Sequence, residues 1–221
     1  QALMSSIVAN NGSEASIKWS KGLVGNFARD PKGSDRDQVK AIAAGQGDIA
    51  IVNSYYIGLL LTSEKSEEIN AGKAVSVFFP NQGENQRGSH INISGIGLAK
   101  NSPNKENAIK LMEYLTSETG QKTYVNNSYE YPANSNVSPS EIVQSWGEFK
   151  IDQLDLNMLG KYRDQAIRIF DETTLVILFG LEAAFSESEE GIFFFSLSSH
   201  WSCSRCKCND CCNSFHAGIS E

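Results

Sequence analysis

The chain has 221 residues, of which 40% are hydrophobic and 20% charged, an ordinary composition for a globular protein with one good core or two modest lobes. Its formal net charge of −7, without a clustered basic face, disfavours nucleic-acid binding, which depends on phosphate neutralisation by Lys and Arg. No apolar run approaches the roughly 18 residues of a membrane helix, because Glu182 interrupts the stretch that begins at Leu175.

The first predicted elements are helices. Apolar residues recur at helical spacing within residues 2–19 and are interrupted by Asn10-Asn11-Gly12, which predicts two short helices separated by a turn. The next helix is predicted to begin after Ser34, because Asp37 follows three residues later as in a capping box. Gly45 suits the left-handed position at the end of that helix.

Charged residues cluster in two places in this part of the chain. Arg29, Asp30 and the run Asp35-Arg36-Asp37 are interpreted as a solvated loop and helix start, not as a catalytic cluster. Residues 64–68 are interpreted as an exposed helix end or loop, since charge runs of this kind usually face water.

A strand followed at once by a helix is predicted near residue 50. The apolar, β-branched run at residues 49–52 predicts a fully buried strand of a parallel sheet. Asn53 and Ser54 after it are interpreted as helix caps. Tyr55 and Tyr56 would then lie in the first helical turn, at the carboxyl end of a strand, where open α/β sheets bind ligands.

Two adjacent tyrosines at such a corner admit two interpretations. Neighbouring residues of a helix differ by about 100° in direction, so both phenol oxygens can reach one point in front of the first turn. A phenolate is an anionic oxygen ligand that suits a hard, highly charged cation, and ferric iron meets that requirement best among common metals. Alternatively, Tyr55 and Tyr56 are half-buried aromatics that pack the helix onto the sheet.

The later elements alternate between strands and helices. Strands are predicted at residues 74–80 and at residues 90–98, where polar and apolar residues alternate. Helices are predicted from Ser102-Pro103, from Glu118 to Val125, from Ser138-Pro139-Ser140-Glu141 and over residues 154–172. His90, a lone histidine at a strand start, is interpreted as a hydrogen-bonded structural residue rather than a metal ligand.

A known family carries these motifs in the same order. Residues 28–56 and the later run Arg87-Gly88-Ser89-His90-Ile91-Asn92-Ile93-Ser94-Gly95 closely resemble the ferric-iron-binding periplasmic proteins of bacterial ABC importers. The resemblance extends over residues 1–172. It implies an α/β, periplasmic-binding-protein-like fold of type II, with two lobes, hinge strands at residues 74–80 and 90–98, and an incomplete N-terminal lobe.

The resemblance also implies a division of the chain. Residues 1–85 would form a second-lobe segment with the Tyr-Tyr site, residues 86–136 a segment that returns to the first lobe, and residues 137–172 the C-terminal helices of the second lobe. Family members begin with a first lobe that carries further iron ligands, and another ligand tyrosine usually lies just upstream of the position of Gln1. We therefore expect a C-terminal fragment of a longer protein, without its signal peptide.

The functional residues and partners follow from the same resemblance. In the family the adjacent tyrosines are iron ligands, here Tyr55 and Tyr56, and the asparagine two positions earlier, here Asn53, often helps to hold a synergistic anion. We expect Fe³⁺ with carbonate, phosphate or a citrate-like anion, and the membrane permease of an ABC importer as partner. We also expect a monomer without a membrane span, located in the periplasm or lipid-anchored outside a Gram-positive cell.

Other functions stay open. A small-anion or polyamine receptor of the same fold would bind its ligand without a visible charge-transfer colour, and the fragment could also be inert as a receptor. An enzyme is disfavoured, because the body of the chain has one histidine, no Cys or Ser nucleophile beside it and no glycine-rich phosphate loop of the usual spacing.

Residues 173–221 differ in composition from the rest. All five cysteines follow Thr173, whereas all seven tyrosines and all five prolines precede it. Two Cys-x-x-Cys pairs within residues 203–212 could hold zinc, although they lie closer together than in the usual structural site. Mixed disulfides are a further option. We interpret this tail as disordered or as sequence that is not native to the family.

Overall fold

The computed structural model describes residues 1–173 and 175, together with the backbone of two strands near the C-terminus. In these residues the order is α1 (Ala2–Gly25), α2 (Asp35–Ala43), β1 (Ile49–Val52), α3 (Tyr55–Leu61), α4 (Ser66–Lys73), β2 (Ser76–Phe78), β3 (Gly95–Leu98), α5 (Lys105–Thr116), α6 (Glu118–Ser128), α7 (Glu141–Gln144), α8 (Asn157–Lys161), α9 (Arg163–Thr173), β4 (Ile192–Phe195) and β5 (His200–Cys203). The predicted α/β class is confirmed. No described helix has both the length and the apolar character needed to cross a membrane.

The described strands form two antiparallel sheets. In the first sheet β5 lies between β1 and β2, with Val52 opposite His200. In the second sheet β3 pairs with β4, with Leu98 opposite Ile192. The strand that leads into the tyrosine pair is therefore held in register by a segment from the far end of the chain.

The strand β1 occupies the predicted residues, but its surroundings differ from the prediction. Ala50 and Val52 are buried, whereas Ile49 and Ile51 remain partly exposed, and the neighbouring strand runs antiparallel. The prediction of a fully buried parallel strand is therefore wrong. A β-branched run is compatible with either arrangement, and here the apolar core covers only the face that carries Ala50 and Val52.

Two apolar clusters form the interior of the described residues. One joins α1 to α9, through buried residues that include Met4, Ile7, Ile169 and Phe170. The other packs α2 and α3 against β1, and its buried members are Val39, Ile42, Ala50, Val52, Ile57 and Leu60. The second cluster fixes the tyrosine helix relative to the strand that precedes it.

Local turn signals predicted several boundaries correctly. The backbone of Gly12 has φ 78° and bends α1, so the predicted pair of helices is found. The N–H of Ser34 donates to Asp37 Oδ2 over 2.7 Å in the predicted capping box. Gly45 has φ 73°, the left-handed conformation predicted for the end of α2.

Two other predictions from local pattern are wrong in part. The strand predicted at residues 90–98 forms only at its end, because β3 begins at Gly95. The charge run at residues 64–68 includes Glu68, which is buried rather than exposed. Its carboxylate lies 3.7 Å from Arg36 Nη1 and 3.4 Å from Lys40 Nζ, so cations on α2 compensate its burial on α4.

The division into lobe segments and the hinge role of the strands remain predictions. After Thr173 the structure describes Leu175 and the backbone of β4 and β5. The cysteines at positions 206, 208, 211 and 212 lie outside the described residues. The predictions of a zinc site, of mixed disulfides and of disorder in the tail therefore remain predictions.

Candidate functional site

The connection between β1 and α3 consists of two residues. The carbonyl oxygen of Asn53 accepts the N–H of Tyr56 (3.2 Å), and that of Ser54 accepts the N–H of Ile57 (3.0 Å). α3 begins at Tyr55, as predicted, but the side chain of Ser54 makes no capping hydrogen bond. The interpretation of Ser54 as a helix cap is therefore confirmed by its position, while the first turn is closed by the backbone carbonyls of Asn53 and Ser54 rather than by a side chain.

Tyr55 and Tyr56 lie side by side in the first turn of α3. Their ring centroids are 4.3 Å apart, the ring planes are inclined by 33°, and both side chains are half-buried. Half-burial is compatible with a packing role and with a ligand role. Neighbouring residues of a helix point about 100° apart, so helical geometry alone does not bring their side chains into contact. The two tyrosine rings are nevertheless in contact.

Asn53 is held by Asp35, a residue that the sequence did not assign to the site. Asp35 Oδ2 accepts hydrogen bonds from the backbone N–H of Asn53 (2.7 Å) and from its side-chain Nδ2 (2.9 Å). Since Asp35 is the first residue of α2, these bonds join the start of α2 to the end of β1. No sequence signal separates Asp35 from the charged residues around it, because the contact spans 18 positions.

His90 is half-buried, and its Nε2 atom is shielded from solvent. Burial lowers the pKa of His90 from 6.5 to about 4, although the nearby carboxylate of Asp152 acts in the opposite direction. Its Nε2 has no hydrogen-bond partner in the part of the chain that the structure describes, so the prediction of a hydrogen-bonded histidine is not met at this nitrogen. The described residues also contain no group of three His, Cys, Asp or Glu side chains placed to hold a metal ion.

Comparison with known protein families decides the wider assignment. The family model described as bacterial extracellular solute-binding protein matches residues 3–151. The chain belongs to this family. The resemblance inferred from the motifs around the tyrosine pair is confirmed.

Curated relatives of this solute-binding protein include two iron uptake proteins from Synechocystis. Iron uptake protein A1 is 42% identical over 172 residues, which are 78% of this chain and 47% of that protein. Iron uptake protein A2 is 41% identical over 171 residues, which are 77% of this chain and 49% of that protein. The chain thus spans about half the length of the curated relatives it matches.

Solved structures give the same fold. The ferric binding protein from Campylobacter jejuni superposes with a TM-score of 0.74 at 40% identity, over 78% of this chain and 54% of that chain. A Trichodesmium protein in complex with iron and citrate superposes with a TM-score of 0.73 at 43% identity, over 78% of this chain and 54% of that chain. The predicted periplasmic-binding-protein-like fold of type II is therefore confirmed.

Proposed function

We propose that this solute-binding protein binds ferric iron through the phenolate oxygens of Tyr55 and Tyr56. The observation that carries the proposal is the contact between the two tyrosine rings, whose centroids are 4.3 Å apart. The rings lie in the first turn of α3, which follows the end of β1. Phenolate oxygens suit a hard, highly charged cation. The relatives support the same ligand, since two are iron uptake proteins and a solved one holds iron and citrate.

Two phenolates fill only part of a ferric coordination sphere. The remaining positions would go to further protein ligands and to an anion such as carbonate, phosphate or a citrate-like molecule, with Asn53 as its hydrogen-bond donor. The citrate of the Trichodesmium complex supports an anion of this class. Because Asp35 already accepts from Asn53, an external anion has to compete with Asp35.

The physiological role that fits this chemistry is capture and delivery, without turnover of the ligand. The protein would act as a monomer in the periplasm, or lipid-anchored on a Gram-positive cell, and would present iron to the membrane permease of an ABC importer. Closure of lobes around a ligand is the usual motion of periplasmic binding proteins, and it would signal occupancy to the permease.

A visible absorption titration with ferric citrate tests the proposed ligands. The chain is expected to develop a tyrosinate-to-iron charge-transfer band that is lost when Tyr55 and Tyr56 are both changed to Phe. Tyr114→Phe is the matched control, because Tyr114 is an exposed tyrosine on α5. The control should keep the full band.

Two outcomes contradict the proposal. A band that persists in the double variant would assign iron to other residues. Absence of the band in the unchanged chain would show that it is not an iron receptor in this form, and colourless binding of phosphate or a polyamine would then favour the receptor for small anions or polyamines.

A further inference from the structure

The side chain of Asp35 accepts hydrogen bonds from Asn53, whereas the capping box of its own helix is formed by Ser34 and Asp37. The N-terminus of α2 is closed by Asp37, whose Oδ2 accepts from the backbone N–H of Ser34 at 2.7 Å. Asp35 Oδ2, in contrast, accepts two bonds from Asn53, at 2.7 and 2.9 Å. One carboxylate oxygen therefore engages a backbone donor and a side-chain donor of the proposed anion-binding residue.

The position of Asp35 is fixed by the packing of α2. Val39 and Ile42 of that helix are buried in the core shared with β1 and α3. On another face Arg36 and Lys40 approach the buried Glu68 of α4 at 3.7 and 3.4 Å. The carboxylate of Asp35 is thus presented to Asn53 by a helix that is already anchored, so little ordering is needed to form the two bonds.

An external anion at Asn53 needs the donors that Asp35 holds. Hydrogen bonds to an ionised acceptor are stronger than neutral ones, and an acceptor within the same chain needs no association step. The amide nitrogen carries two hydrogens, so Asp35 limits donation to another acceptor without abolishing it. The negative charge of Asp35 also repels a second anion at the same place.

We propose that Asp35 is a built-in competitor of the synergistic anion and sets how far iron binding depends on that anion. This inference rests on the proposed ferric site and concerns Asp35 as a specificity-determining residue. Asp35 would also have a positioning role. It holds Asn53 in place, and the carbonyl oxygen of Asn53 accepts a hydrogen bond from the backbone N–H of Tyr56.

Isothermal titration of the iron-free chain with inorganic phosphate tests the competition without any iron. Asp35→Asn keeps the shape of the side chain and removes its charge, and it should bind phosphate about tenfold more tightly than the unchanged chain, the effect of one charge-assisted hydrogen bond. Asp35→Ala removes the acceptor as well and should show a gain at least as large. Asp30→Asn is the matched control for net charge, because it leaves the capping box intact, and it should change phosphate affinity less than about twofold.

The double variant Asp35→Asn with Asn53→Ala separates direct competition from a general effect. The gain in phosphate affinity should disappear in this variant, since the donor freed by the first change is removed by the second. A gain that persists, an equal gain in Asp30→Asn, or no gain in either Asp35 variant would overturn the proposal. Circular dichroism of each variant checks that the helices are retained.

A second readout joins this inference to the iron site. With ferric nitrilotriacetate as donor, iron binding by the Asp35→Asn variant should strengthen about tenfold on addition of phosphate, whereas the unchanged chain should respond less than about threefold. If the charge-transfer band is missing, the ferric proposal fails while the phosphate titration still decides the role of Asp35.

Discussion

The ring of Tyr129 packs directly on Gly58, in the middle of the tyrosine helix α3. A Cβ atom at Gly58 would lie 2.3 Å from Cγ and 2.4 Å from Cβ of Tyr129. Tyr129 itself follows α6 in the left-handed conformation, with φ 58°. The absence of a side chain at Gly58 therefore lets α6 approach the helix that carries the proposed iron ligands.

The variant Gly58→Ala is expected to displace α3. The added methyl group meets the base of the Tyr129 side chain rather than a flexible end, so the helix or the ring has to move, at a cost of about 1–3 kcal/mol in the free energy of unfolding. Urea unfolding measures the loss. Weaker iron binding, followed by the visible band, should accompany it.

A glycine in open space provides the control for this variant. Gly22 lies within α1, and a Cβ there has no neighbour within 4 Å. Gly22→Ala should therefore leave stability unchanged or raise it by about 0.5–1 kcal/mol, as expected for Ala over Gly in a helix. Equal losses in the two variants would show that the contact with Tyr129 is not the cause.

The buried carboxylate of Glu68 should make stability depend on acid. The hydrogen bond from Ser63 Oγ (2.7 Å), together with Lys40 and Lys65, outweighs desolvation and lowers the pKa of Glu68 below its ordinary value of 4.5. Because its pKa is lowered in the folded state, Glu68 stabilises the fold above about pH 4.5. This stabilisation is lost as the pH falls through the folded pKa. Glu68→Gln should therefore lower Tm at pH 7, and the difference from the unchanged chain should shrink toward pH 3.

Glu67 is the matched control for Glu68. Its side chain is 81% exposed and pairs only at the surface, 3.6 Å from Lys40 Nζ. Glu67→Gln should change Tm little at any pH, because exposed ion pairs contribute little. A similar loss of Tm in both variants at pH 7 would contradict the assignment of the effect to burial.

Protonation of His90 should destabilise the fold at a higher pH than protonation of Glu68 does. Because burial lowers its pKa from 6.5 to about 4, the unfolded chain binds a proton between these values while the folded chain does not. Stability should fall as the pH drops from 6.5 to 4, by at most about 3 kcal/mol from this group. Urea unfolding at pH 7, 5.5 and 4.5 should show a smaller loss for His90→Gln, and an unchanged pH slope would refute the prediction.

Gly88→Ala should be among the most destabilising single changes in the described part of the chain. Gly88 has φ 96°, and a Cβ there would lie 2.6 Å from the carbonyl carbon of Ile151 and 2.6 Å from the carbonyl oxygen of Lys150. Backbone atoms cannot rotate away as a side chain can. The expected loss in the free energy of unfolding exceeds the roughly 1–2 kcal/mol of left-handed strain alone.

Gly147 is the control for Gly88, because it shares the left-handed backbone conformation without the steric contact. It has φ 83°, but a Cβ there has no neighbour within 4 Å. Gly147→Ala should therefore lose only the conformational part, about 1–2 kcal/mol. The difference between the two variants in urea unfolding measures the steric contact of a Cβ at Gly88 with the backbone of Lys150 and Ile151, and a difference near zero would exclude that contact.

The parts of the site that the sequence predicted are those fixed within a few residues. The capping box of Ser34 and Asp37, the left-handed Gly45 and the start of α3 at Tyr55 depend on neighbours in the chain, so composition and spacing contain the information. The tyrosine pair also became a candidate because its local frame matched a known family.

The parts that escaped prediction depend on contacts distant in sequence. Asp35 and Glu68 look like members of ordinary charged runs, yet each meets its partner from another element, Asn53 in one case and Lys40 in the other. The direction of the strand that pairs with β1 likewise depends on a segment distant in sequence. Single-sequence patterns contain burial tendencies but not the identity of such partners.

The pairing of β1 with β5 bears on how the chain reaches its native state. Val52 pairs with His200, so this edge of the strand before the tyrosines is closed only after the chain has been made as far as residue 200. Pairing between such distant segments slows folding, because a large loop has to close first. Until then the unpaired edges of β1 and β2 can recruit other chains, so productive folding should favour dilute conditions or a chaperone that shields these edges.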